Sequence, residues 1–196
     1  MGYLQAIENK RLFIAVEIPL DIREEMYEFS SRVLENYDTV RPVKIANIHI
    51  TLKFMGDVPA DGIDVIKATI KMAVSSFKSF QFELDGKIDA FPDKKRARTV
   101  FISVGEGRQK LKDLYLCLEE YLVATCSQFN IKAGRKNFVA HITLARLRYP
   151  EDIREAVRDA GSILPFRINV RAIALFESIL DPGGARYTKL GGFSLK

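Results

Sequence analysis

The chain is poor in cysteine and histidine and has no tryptophan. Its two cysteines, Cys117 and Cys126, are nine positions apart on what the pattern predicts to be one helix. That spacing separates them by about 13 Å along the axis. A disulfide tolerates only about 7 Å between Cα atoms, so the helix excludes a bond between them. Two buried thiols in a reducing compartment are the expectation. Long apolar runs are also missing, and none approaches the ~20 residues of a membrane-spanning helix. The apolar segment 12–18 carries Glu17 and meets Pro19, which makes a poor leader. Ala6 breaks the myristoylation pattern that Gly2 would begin. A soluble, cytoplasmic protein is expected. Phosphate-cradling loops are absent too. Gly105-Glu106-Gly107 lacks the third glycine of a dinucleotide loop, and no Gly-Lys-Ser/Thr occurs. There is no G-x-S-x-G elbow either.

The composition is 47% hydrophobic and 28% charged, enough to bury a core within 196 residues. The net charge of +5 suits an anionic partner but is equally an ordinary basic surface.

The two histidines sit in identical tetrapeptides, His49-Ile50-Thr51-Leu52 and His141-Ile142-Thr143-Leu144. In an extended strand, alternate side chains share a face. His49 and Thr51 then point one way, and Ile50 and Leu52 the other. The second copy does the same. Each strand presents a proton-transfer group beside a hydroxyl.

These tetrapeptides belong to a longer repeat. The strand-like segment 11–16 resembles 99–104. Each leads into a helical pattern, Ile22, Met26, Phe29, Val33 and Leu34 in the first and Leu111, Leu114, Tyr115, Leu118 and Leu122 in the second. An H-I-T-L strand follows each. Residues 59–77 and 150–160 then read as helices, with proline in the tolerated first turn. Strands follow at 80–90 and 166–175, ending in Phe91 and Phe176 before breaker-rich turns at 92–95 and 181–184. The offset between copies is 88 for Phe13 and Phe101, 92 for the histidines and 85 for Phe91 and Phe176. A nearly constant offset points to duplication. Two similar α+β halves related by an approximate two-fold axis would place His49 and His141 on facing walls.

An unperturbed imidazole titrates near 6.5, so one can be neutral while another is protonated. Such a pair can take a proton from water and give one to a leaving oxygen. Phosphoryl transfer asks for positioning and charge stabilisation more than covalent help. A catalytic zinc wants three protein ligands, and neither H-x-H nor H-E-x-x-H occurs. No metal or other cofactor is expected.

The doubled H-x-T-x pattern resembles that of the two-histidine (2H) phosphoesterase superfamily. Three stretches narrow the resemblance to the RNA 2′,3′-cyclic phosphodiesterases, also called 2′-5′ RNA ligases. They are Arg11-Leu12-Phe13-Ile14-Ala15-Val16-Glu17-Ile18-Pro19, Asn47 through Gly56, and Phe138 through Arg146. Ala140 departs from the proline often found before the second histidine. The resemblance implies a bilobal α+β fold, two duplicated lobes each with an antiparallel sheet and helices, and a cleft between them. It covers residues 11–196, with 1–10 as an N-terminal extension and the repeat divided at about 98/99. It implies metal-free hydrolysis of an RNA terminal 2′,3′-cyclic phosphate to a 2′-phosphate. By carry-over, His49 is the proton donor, His141 the proton acceptor, and Thr51 and Thr143 contact the phosphate. RNA ends, tRNA fragments among them, are the implied partners, with no membrane and a monomeric state. A 2′-5′ end-joining or end-binding role and a small cyclic nucleotide substrate stay open as alternatives.

Further candidates come from the residues themselves. Lys53 shares the face of His49 and Thr51 on simple alternation. Arg135 and Lys136 precede the second motif, and Arg146 and Arg148 follow it; each is a phosphate-contact candidate or a solvated charge. The run 94–98 is the densest basic patch. Phe54, Phe91, Phe138 and Phe176 read as core. Tyr187, near a glycine-rich turn, is a candidate for touching substrate.

Overall fold

The computed structural model describes residues 8–129, 131, 134, 137–161, 163 and 165–196. Two antiparallel sheets form opposite walls, each backed by helices. The first strand, β1 (Asn9–Glu17), is followed by α1 (Leu20–Val33), a short β2 (Val40–Pro42) and β3 (His49–Pro59). Next come α2 (Ile63–Val74), β4 (Phe80–Phe91), β5 (Ala97–Val104) and α3 (Arg108–Thr125). The chain ends with β6 (His141–Glu151), α4 (Arg154–Ala160), β7 (Arg167–Val170), β8 (Ala172–Asp181) and β9 (Gly184–Ser194).

The four-stranded sheet has the order β3-β1-β8-β9, and the five-stranded sheet β2-β6-β5-β4-β7. The two halves of the sequence are therefore interleaved. β4, from the first half, lies beside β5, and β8, from the second, lies beside β1. The helices cross over in the same way. α1 packs with α4 behind β6 and β2, and α3 packs with α2 behind β3 and β9. Each lobe is built from both halves, which preserves the approximate two-fold relation.

The expected helical stripes are the buried ones. Ile22, Met26 and Phe29 on α1, and Leu111, Leu114, Tyr115, Leu118 and Leu122 on α3, enter a single core. Gly107 starts α3 with φ +80, and a Cβ there would come within 2.5 Å of the Gln81 carbonyl oxygen. Glycine at that position is a packing requirement of the strand-to-helix turn. Cys126 ends α3 and is buried, and neither cysteine is in a disulfide.

Three segments differ from the sequence reading. The helix expected over 59–77 is shorter, because β3 runs through Pro59 and α2 occupies only Ile63–Val74. Pro150 lies inside strand β6, and α4 begins at Arg154. The single strand expected over 166–175 is two. β7 pairs with β4, while β8 passes to the other sheet and pairs with β1. An apolar run with period two cannot show that its ends belong to different sheets. No helix among the described residues is long and apolar enough to cross a membrane.

Candidate active site

His49 and His141 open β3 and β6. Each stands half-buried in the wall of one cleft of about 950 Å³, together with Thr51 and Thr143. The alternation expected from H-I-T-L holds over those four residues, since Ile50, Leu52, Ile142 and Leu144 are all buried.

Beyond the tetrapeptide, both strands break step at the same place. On β3, Ala15 faces Thr51 but Ile14 faces Lys53, leaving Leu52 as an extra residue. On β6, Phe101 faces Thr143 but Val100 faces Ala145, leaving Leu144 extra. These are β-bulges, which re-aim the side chains that follow. The burial patterns of the two strands agree over their first seven residues.

The bulge corrects one candidate and explains another. Lys53 does not reach the cleft. It is 3% exposed on the opposite face and ion-paired to Glu119 of α3 at 2.5 Å. Phe54 and Arg146, one residue further along each strand, turn into the cleft instead. Phe54 is exposed rather than core, with the Arg11 guanidinium 4.7 Å above its ring. Arg146 donates to the Thr99 hydroxyl at 3.3 Å.

Tyr187, on β9, also lines the cleft and meets the His49 ring edge-on at 5.5 Å. Arg135 and Lys136 lie outside the described residues. Arg148 packs over Tyr149 and does not line the cleft. The basic run borders a separate groove of about 630 Å³, where Lys94 and Lys95 stand with Arg154 and Phe91. Phe91 is likewise partly exposed, and its ring contacts Phe101 and His141. Phe138 stacks on Tyr115 and is partly buried against the core, while Phe176, half-buried outside the core cluster, stacks on Phe13.

Arg11, Arg41, Lys44 and Asn47 line the cleft without having been singled out from the sequence. Arg11 and Asn47 stood in the stretches that carry the resemblance, while Arg41 and Lys44 had only their position ahead of the first motif. Asn47 donates from its side-chain amide to Ala185 O at 2.7 Å, tying the approach to His49 to the β8–β9 turn. The cleft is lined by four cationic side chains and, among the described residues, no carboxylate.

Both imidazoles are held alike. His49 Nδ1 donates to Asn47 O at 2.6 Å, and His141 Nδ1 to Val139 O at 2.8 Å. A carbonyl can only accept, so the bond assigns the hydrogen to Nδ1 in each ring. Nε2 is then the nitrogen that takes or gives a proton. His49 Nε2 accepts from the Thr51 hydroxyl at 2.8 Å when the ring is neutral. Phe13 supports the His49 ring at 5.0 Å, and Phe101 supports His141 at 5.1 Å.

Loss of solvation lowers the His49 pKa to about 4; the carbonyl of Asn47 opposes this, and His141 and Arg146 add to it. His141 is lowered for the same leading reason, with Arg146 contributing. Burial raises the Tyr187 pKa, so its hydroxyl stays protonated at neutral pH. In these surroundings both histidines are neutral at pH 7. Among the described residues, no three His, Cys, Asp or Glu side chains are grouped to hold a metal ion.

The family model of the 2′-5′ RNA ligase superfamily matches residues 28–181. This chain belongs to that superfamily, the 2H phosphoesterases. An Aquifex aeolicus relative named RNA 2′,3′-cyclic phosphodiesterase is 33% identical over 157 residues, covering 78% of this chain and 80% of its own. A solved Thermus thermophilus protein superposes with a TM-score of 0.77 at 26% identity, covering 94% of this chain and 97% of its own. The LigT protein of E. coli, solved with 3′-AMP, gives 0.75 at 25% identity over 96% and 99%. In this superfamily member, the doubled motif, the doubled bulge and the paired imidazoles all converge on one cleft.

Proposed function

We propose that this protein hydrolyses the 2′,3′-cyclic phosphate at an RNA end to a 2′-phosphate, without a metal. The observation that carries the reading is the matched pair of imidazoles. Each is locked at Nδ1 by a backbone carbonyl, and both share a cationic cleft. Curated relatives that carry the name RNA 2′,3′-cyclic phosphodiesterase support the substrate class.

Water attacks phosphorus in line with the P–O3′ bond. His141 Nε2 takes the proton from the attacking water as the new P–O bond forms. The P–O3′ bond breaks, and His49 Nε2 gives a proton to the departing O3′. The product carries a 2′-phosphomonoester and a free 3′-hydroxyl. Thr51 and Thr143 donate to the non-bridging oxygens, so Thr51 gives up its bond to His49 when phosphate binds. The bound anion also answers the lowered pKa values. A negative charge beside the His49 ring favours its protonated form, the state in which Nε2 can give a proton to O3′. Tyr187 supplies a further donor.

The test is end-group analysis of a short RNA bearing a 2′,3′-cyclic phosphate, incubated in excess chelator. The expected product ends in a 2′-phosphate. A 3′-phosphate product would reverse the leaving group. Activity lost on chelation and restored by one added metal would overturn the metal-free reading.

A further inference from the structure

The pairing of β2 with β6 sets Arg41 directly opposite Arg146. Both residues line the cleft and both are exposed. Like charges directly opposite across two strands are destabilising. No acid among the described residues relieves this pair from within the cleft, whose lining contains no Asp or Glu. Lys44, three residues after Arg41 and just ahead of the turn Ile45–Asn47, adds a third cation on the same wall. An uncompensated cluster of this kind is complementary to an anion.

The reacting phosphate does not account for the whole cluster. Arg146 lies two partner positions beyond Thr143 on β6, since Thr143 faces Phe101 and Arg146 faces Thr99, about 7 Å along the strand at ~3.3 Å per residue. Arg41 is at the same level on the neighbouring strand. The pair therefore sits one step along the cleft from the histidines and threonines. A 2′,3′-cyclic phosphate closes the 3′ end of a chain, so every other substrate phosphate lies on the 5′ side of the terminal ribose. We infer that Arg41 and Lys44, beside Arg146, form a second anion subsite that takes the phosphodiester on the 5′ side of the terminal nucleotide. This rests on the proposed function and narrows it, because a mononucleotide cyclic phosphate has no group to place there. The subsite makes the enzyme one for chain ends rather than for small cyclic nucleotides.

The experiment compares three substrates at low salt. They are a dinucleotide ending in a 2′,3′-cyclic phosphate, the same dinucleotide with an uncharged methylphosphonate linkage, and the mononucleotide cyclic phosphate. The wild-type kcat/KM is expected to favour the charged dinucleotide over the other two by about tenfold or more, the worth of a hydrogen bond to a charged group. In the Arg41→Gln, Lys44→Gln double variant that preference should collapse. Equal wild-type turnover of all three, or a preference that survives in the variant, would overturn the subsite. If the wild type turns over none of them, the hydrolytic reading has failed. The subsite is then decided by titrating a dinucleotide that ends in a 2′-phosphate against its methylphosphonate twin. A wild-type affinity gap that the variant lacks upholds the subsite, and the absence of a gap refutes it.

Discussion

His49 and His141 share a bonding pattern but differ in their surroundings. The Thr51 hydroxyl lies within hydrogen-bond reach of His49 Nε2, and the His49 ring packs against Tyr187. The His141 ring packs instead against the stacked pair Phe91 and Phe101. Replacing either histidine by alanine should slow turnover by roughly 10² to 10⁴, the usual worth of a positioned acid or base. Thr51→Ala and Thr143→Ala should cost less, about 1.5–3 kcal/mol each for one bond to a charged oxygen. Single-turnover rates on a cyclic-phosphate RNA check both. The roles separate when O3′ is replaced by sulfur, since a thiolate leaves with little need of a proton. That substrate should rescue His49→Ala and leave His141→Ala slow; the opposite pattern would exchange the assignments. The pairing of the histidines was legible in the sequence because they stand in identical tetrapeptides. Their lowered titration was not, because it depends on burial in the folded cleft and on the Arg146 charge brought from β6.

The lowered His49 pKa also gives stability a pH dependence of definite sign. The unfolded imidazole titrates near 6.5, and the folded one at about 4. Between those values the unfolded chain binds more protons. Stability is therefore complete above about pH 6.5 and is lost as pH falls towards 4. Urea midpoints measured from pH 7 to pH 4.5 should fall, and less steeply in His49→Gln. Inorganic phosphate should raise the His49 pKa, which NMR titration of its ring protons would follow.

At the scale of elements, the bulges on β3 and β6 decide what the cleft contains. Strict alternation carries Lys53 into the cleft and Arg146 out of phase with Thr143. One extra residue per strand reverses both. A bulge has no residue signature in these segments, since Leu52 and Leu144 are ordinary strand residues, so the sequence could not show it. The burial of two consecutive residues, Leu52-Lys53 and Leu144-Ala145, is its structural consequence. Lys53 then has a structural part, joining β3 to α3 through Glu119. Breaking a buried pair by removing one partner costs about 3–5 kcal/mol. Lys53→Met should lose stability of that order in denaturant unfolding while keeping the pH–rate profile of the wild type. The double variant Lys53→Met, Glu119→Leu should recover much of the loss. A profile shifted in the single variant would put Lys53 back in the chemistry.

At the scale of the molecule, the duplication was legible in the offsets between copies, and so were the buried stripes of α1 and α3. What the offsets conceal is the exchange of strands. A repeat divided at about 98/99 suggests two self-contained lobes. In the folded chain, β4 from the first half fills the place between β5 and β7, and β8–β9 from the second half completes the sheet begun by β1 and β3. The cause is the break between Val170 and Ala172, which lets β7 stay with one sheet while β8 passes to the other. Residues 8–98 alone would leave β1 without its β8 partner, and β4 without both β5 and β7. The fragment 99–196 would leave β5 without β4, β6 without β2, and β8 without β1. Each would expose unpaired strand edges and half of a shared core. Neither fragment is expected to fold alone, as read by far-UV circular dichroism and amide exchange. Mixed in equal amounts, they should pair, recover the ordered spectrum and regain cyclic-phosphate hydrolysis, because each supplies one histidine and the missing strands of the other's sheet. Two fragments that fold independently, with no gain on mixing, would contradict the interleaved topology.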